Sequence, residues 1–199
     1  MIIVVEGPTA AGKTTWAMAH AGRALVPEAI PAAEPPLDPR EAARFWAENG
    51  AVRWQQAVAT EQRAGFAVCD TDPLKLHYSW SLWRIGVGSE SAFRQKAGAY
   101  REMVAQSRIG LADAYFVSIA GSQTLEGRRS QDTTRRRRNF SLHARLGEPL
   151  REWYAALEEV RPGSVRWSFP DEGIGAHADE SGARYDLEGF DALVRRVAG

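Results

Sequence analysis

The chain has 199 residues, enough for one domain around one core, and its formal net charge is zero. At 44% hydrophobic and 25% charged residues it has an ordinary globular composition, which weighs against nucleic acid and against an anionic membrane as partners. No apolar stretch approaches the length needed to span a bilayer, and no basic region precedes the first apolar run as a secretory leader requires.

Ile2 to Val5 is a continuous aliphatic run, β-branched throughout, and predicts a strand buried on both faces, as in a parallel sheet. It leads into Gly7-Pro8-Thr9-Ala10-Ala11-Gly12-Lys13-Thr14, which fits the phosphate-loop pattern G-x-x-x-x-G-K-[ST] without a gap. The chemistry explains the spacing. Glycines permit the turn and a close approach, so successive backbone N–H groups can surround a phosphate. A helix starting near Lys13 adds the positive end of its dipole. Lys13 is placed to neutralise β- and γ-phosphates, and the Thr14 hydroxyl to ligate Mg²⁺. Gly7 to Thr15 is therefore the expected nucleotide cradle.

Thr14 to Leu25 predicts a helix, and a short strand is expected near Ala29 and Ile30. Asp38 can cap a helix entered by Pro39, with Glu41 completing the start; a break is expected near Asn49-Gly50 and a stop at Gly65. Phe66 to Cys69 predicts a second buried strand, ending at Asp70. Cys69 is the single cysteine, so an intrachain disulfide is excluded and a reducing, cytoplasmic setting fits.

Asp70-Thr71-Asp72-Pro73 is good turn chemistry, and a strand-end loop is where catalytic groups sit. Asp70 is expected to hold Mg²⁺ through water and to orient or deprotonate an acceptor hydroxyl. Asp72 either shares that role or binds the acceptor. The Trp-rich helical stretch that follows, with the helix after Pro39, is expected to line the acceptor pocket. Tyr78, Trp83 and Arg84 are its candidates, and most of the aromatics there are expected in the core. His77 and His143 are further candidates, and the four histidines show no metal spacing.

Further helices are expected over Ser91 to Ile109, over Asn139 to Val160 with a restart at Pro149, and over Asp186 to Val197. Further strands are expected over Ala114 to Ala120 and Val165 to Phe169. Six arginines, among them Arg128 and Arg135, fall in 121–138, after the third strand. They suit a lid that closes over phosphates, because the guanidinium fork matches phosphate oxygens and keeps its charge. A solvated basic face or an RNA-binding patch is the other reading of that run. Strands alternating with helices predict a single α/β domain over 1–199.

Glu6-Gly7 followed by Ala11-Gly12-Lys13-Thr14-Thr15 resembles the start of thymidylate kinases. Asp70-Thr71-Asp72 resembles the strand-end acids of ribosylnicotinamide kinases, and Leu125 to Arg138 is similar to a thymidylate-kinase-type lid. The D-R-[FY] of thymidylate kinases and the E-R-S of deoxynucleoside kinases are absent, so the resemblance carries the P-loop kinase superfamily and not a substrate. It implies a three-layer fold with a five-stranded parallel sheet, ATP and Mg²⁺ as cofactors, and Lys13, Thr14, Asp70 and lid arginines such as Arg128 and Arg135 as working groups. The expected partners are ATP and a small-molecule acceptor, a nucleoside, nucleotide or natural product, phosphorylated on a hydroxyl or phosphate. A homodimer is left open. A nucleotide-binding regulator that acts through a protein partner is the competing class, and N-K-x-D, the guanine-reading motif, is absent.

Overall fold

The computed structural model describes residues 1–29, 31–121, 127, 140–174 and 183–199. The lid expected over 121–138, with Arg128 and Arg135, lies outside the described residues apart from Gly121 and Gly127, as does Ile30.

Five strands form one parallel sheet: β1 (Ile2–Glu6), β2 (Leu25–Val26), β3 (Ala67–Asp70), β4 (Ala114–Val117) and β5 (Val165–Arg166). Their order is β2-β3-β1-β4-β5, so the most apolar strand lies at the centre. Val5 stands opposite Asp70 on one side and Phe116 on the other. The loops after β1, β3 and β4 therefore open on the same carboxyl edge of the sheet.

Strand alternation divides the core into two layers. Ile3 and Val5 meet α1 (Lys13–Ala21) through Trp16, Ala17 and Ala21. Ile2 and Val4 face the larger layer, which contains α2 (Pro39–Ala64), α3 (Leu76–Arg84), α4 (Glu90–Ala105), α6 (Gly147–Val160) and α7 (Leu187–Ala198). Between the sheet's fourth strand and α6 stands the short α5 (Phe140–Ala144). Cys69 is buried in the larger layer, and burial pushes its thiol up to about 12, which makes it a core residue and not a nucleophile.

Several boundaries differ from expectation. The helix expected over 14–25 ends at Ala21; a 3₁₀ turn, Gly22–Ala24, follows, and β2 forms at Leu25–Val26 by pairing with Val68 and Cys69. That pairing, and not local propensity, places the strand before Ala29. β4 and β5 are shorter than expected; β4 ends at Val117, opposite Glu6, the last residue of β1. Pro149 lies in the first turn of α6, and the interruption falls before it, between Ala144 and Gly147.

The largest departure is α2, which runs unbroken through Asn49-Gly50. Asp38 caps it as expected, accepting from Arg40 and Glu41 N–H at 2.9 Å, and Gly65 ends it in the left-handed region. Gly50 serves a close crossing. A Cβ there would lie 2.6 Å from the Pro73 carbonyl oxygen and 3.0 Å from the Tyr100 ring. Alanine normally favours a helix interior over glycine by about 1 kcal/mol. Gly50→Ala is nevertheless expected to destabilise by about 1–3 kcal/mol through overpacking, read from urea unfolding.

The segment before α7 is tied to the sheet's amino edge by charge. Arg184 donates to Glu61 Oε2 at 2.7 Å and to Asp113 Oδ2 at 2.6 Å, and Asp113 also accepts the Ile2 N–H at 2.6 Å. The Arg184 guanidinium holds Glu61 down to about 2.

Candidate functional site

The phosphate-loop sequence forms the turn its glycines allow. Gly7 lies so close to the segment after β4 that a Cβ would stand 2.4 Å from the Ser118 carbonyl oxygen. Ala10 takes φ 65°, and Gly12 takes φ 97° as the residue before α1. The Ala11 N–H closes a turn on the Pro8 carbonyl at 3.1 Å. Lys13 Nζ donates to the Gly7 carbonyl at 2.6 Å and the Pro8 carbonyl at 3.2 Å, so the cation is held over the loop itself. Pro8 is buried, Thr9 is half-buried and Thr15 is exposed on α1.

Thr14 and Asp70 meet. The Thr14 hydroxyl donates to Asp70 Oδ2 at 2.7 Å, joining α1 to the end of β3. Asp70 Oδ1 is buried with no hydrogen-bond partner among the described residues. An ionisable oxygen left unused beside a threonine hydroxyl suits a magnesium ion, which takes hard oxygen donors and keeps part of its water. Among the described residues no group of three His, Cys, Asp or Glu side chains is close enough to hold a metal alone. Phosphate oxygens and water would complete such an ion's shell.

Glu6, which entered the sequence reading only as part of a motif, lies at the centre of this group of side chains. The last residue of an otherwise aliphatic strand, it is 4% exposed. Its Oε1 accepts the Gly7 N–H at 2.9 Å and its Oε2 accepts the Asp72 N–H at 3.2 Å. One carboxylate thus spans the loops after β1 and β3. His77 Nε2 lies 3.3 Å from Glu6 Oε2, and Lys13 Nζ lies 3.9 Å from Oε1. Burial acts to raise the Glu6 carboxyl, but His77, Lys13 and the two N–H groups outweigh it and hold the group below its usual range. Burial dominates at His77 and lowers it. A charged residue closing an apolar strand was the signal in the sequence that could have identified Glu6.

Asp72 turns inward. Its Oδ1 accepts the Leu74 N–H at 2.9 Å and its Oδ2 accepts from the Tyr154 hydroxyl at 3.3 Å. Burial pushes Asp72 up to about 7, opposed by the Leu74 N–H and assisted by the Glu6 charge. The folded chain therefore keeps this proton between pH 3.8 and about 7, where the unfolded carboxylate has lost it. On that account stability falls as pH rises through this window, by up to about 1.4 kcal/mol per pH unit. Asp72→Asn, which cannot ionise, is expected to remove that slope and to gain on wild type between pH 5 and pH 8 in urea titrations. An equal loss at both pH values would contradict it.

The acceptor candidates separate. Tyr78 is half-buried on α3, its ring 5.9 Å from the His143 ring on α5. Burial and Glu28 raise the Tyr78 phenol, while burial, with Lys13 second, lowers His143. Lys75 pairs with Glu28 beside them. Trp83 and Arg84 do not join this group. Trp83 stacks on Phe93 at 5.6 Å and meets Trp80 edge-on at 5.4 Å. Arg84 lies over Trp80 and donates to Glu152 at 3.1 Å. Both make their contacts within the α3–α4–α6 packing. They occupy the last turn of α3, while the sheet's carboxyl edge faces its first.

No family model matches the chain, and no curated protein matches it. Solved structures do. The deoxyadenosine kinase from M. mycoides with bound dATP matches at TM-score 0.51 and 13% identity, over 84% of this chain and 90% of that one. The same kinase with the products dCMP and a flexible dCDP matches at TM-score 0.53 and 12% identity, over 98% of this chain and 97% of that one. At such identity the likeness is one of architecture: the chain shares its overall fold with that deoxyadenosine kinase.

Proposed function

We propose that this chain is an ATP-dependent kinase that transfers the γ-phosphoryl group to a hydroxyl of a nucleoside-like or natural-product acceptor. The observation that carries the reading is the Thr14–Asp70 contact beside the phosphate loop. It brings a nucleotide cradle and a strand-end carboxylate to one point. The fold shared with deoxyadenosine kinase adds support for nucleoside-like substrates.

Loop N–H groups and Lys13 hold the β- and γ-phosphates. The Thr14 hydroxyl and the Asp70 carboxylate would hold magnesium together with the phosphates, and the ion would neutralise phosphate charge. Asp70 orients the acceptor hydroxyl and takes its proton as the phosphoryl group moves. Glu6 keeps the two loops at a fixed separation by bonding to an N–H of each.

Among the described residues, the partners of Arg53 and Arg84 favour a hydroxyl acceptor over a phosphate. Arg53 is buried on backbone carbonyls and Arg84 is paired with Glu152. Tyr78, His143 and the Lys75–Glu28 pair remain beside the site, and they suit a polar, uncharged compound.

The test is a panel of nucleosides, nucleotides and hydroxylated natural products, scored by acceptor-stimulated ADP release with the product identified by mass spectrometry. A phosphorylated product is the expected result. Tight ATP binding with turnover indifferent to every acceptor would favour the regulator.

A further inference from the structure

The turn that presents Asp70 is held in an unfavourable conformation. Thr71 is buried and takes φ 73°, the left-handed region, where a β-branched side chain crowds its own backbone. Nothing in Asp-Thr-Asp-Pro selects that conformation locally, since threonine is a poor residue for it.

Arg53 stands over this turn. It lies on α2, one turn past Gly50, whose missing side chain lets the helix approach Pro73. The Arg53 side chain is 5% exposed. Its Nη2 donates to the Asp70 carbonyl at 2.9 Å and to the Thr71 carbonyl at 3.1 Å, and Nη1 reaches Thr71 Oγ1 at 3.4 Å. Two successive carbonyls thus converge on one cation. An extended strand points neighbouring carbonyls in opposite directions, so the convergence requires a helical turn of the backbone at residue 71, which Thr71 takes in its left-handed form.

The same twist serves the site. The Thr71 N–H stays on the β1 ladder, donating to the Val5 carbonyl at 3.1 Å. The Asp72 N–H reaches Glu6, and the Asp70 carboxylate reaches Thr14. Relaxing Thr71 to negative φ would rotate the peptides on both sides and break these bonds.

We propose that Arg53 is a positioning residue: its guanidinium holds Thr71 in the left-handed region so that the Asp70 carboxylate meets the Thr14 hydroxyl. Its consequence for turnover rests on the kinase reading above; its structural part does not.

The test uses Arg53→Met, Arg53→Lys, Thr71→Gly and the double variant Arg53→Met/Thr71→Gly. Each is crystallised without substrate and assayed for basal ADP release from ATP. Arg53→Met is expected to lose about 10²-fold in kcat, with KM for ATP within about twofold. Its crystals should show residue 71 at negative φ and the Thr14–Asp70 bond broken. Thr71→Gly alone should stay within about threefold of wild type, because glycine takes positive φ without help. The double variant should recover at least about tenfold over Arg53→Met, with the Thr14–Asp70 bond restored. Additive losses in the double variant, or an Arg53→Met crystal with the turn and the bond intact, would overturn the proposal. Where Arg53→Met does not fold, Arg53→Lys is read in the same way, since the ammonium sits on a shorter stem and lacks the second nitrogen that reaches Thr71 Oγ1. A protein that releases no ADP and phosphorylates nothing would sink the kinase reading, yet the crystallographic arm would still decide the role of Arg53.

Discussion

Lys13→Ala should abolish measurable phosphoryl transfer, with kcat/KM down by at least about 10³-fold, and should weaken ATP binding in calorimetry. The side chain sits in a loop shaped for close backbone approach, held by the carbonyls of Gly7 and Pro8 and 3.9 Å from Glu6. Alanine removes the one side-chain cation that the loop itself provides. The loop turns at Gly7, Ala10 and Gly12, which take φ 158°, 65° and 97°, and the lysine adds two side-chain bonds to it. The fold should therefore survive, and melting temperature should stay near wild type. Unchanged transfer with a folded variant would refute the assignment.

Asp70→Asn is the second large effect, and it should separate chemistry from binding. The amide keeps the shape of the carboxylate and can still accept from the Thr14 hydroxyl, which now donates to Oδ2 at 2.7 Å. It cannot take a proton, and it offers magnesium a weaker donor than a charged oxygen. Turnover should fall by about 10²–10⁴-fold while ATP affinity is largely kept, and the magnesium concentration needed for half-maximal rate should rise. Collapse of ATP binding with normal residual turnover would mean that Asp70 belongs to the nucleotide cradle and not to the reaction.

These two experiments bracket the site. Lys13 was legible because its neighbours in sequence are its neighbours in space, and the motif states the spacing outright. Asp70 was legible as an acid closing an apolar strand. What it touches was not, for Thr14 lies 56 residues away and their meeting depends on β3 pairing with β1. Arg53 carries no motif in the sequence; its burial against the carbonyls of the 70–71 turn is visible only in the fold. The partners of Trp83 and Arg84 were not legible for a related reason. A Trp-rich helix has more than one face, and sequence alone does not say which face meets α4 and α6.

Gly50 shows the same limit in the backbone. Asn-Gly is a sound stop signal in isolation, yet α2 continues because Pro73 and Tyr100 need that space and because packing over both flanks outweighs one poor helix residue.

The amino-acid sequence by itself determined the α/β class, the phosphate loop with Lys13 and Thr14, and the acid at the end of β3, since each rests on residues a few positions apart. Tertiary structure alone decided the strand order, the Glu6 bridge between two loops, the inward turn of Asp72 and the clasp of Arg53 on Thr71. Those depend on sheet register and on where a buried charge finds partners, and both are settled by contacts between segments far apart in the chain.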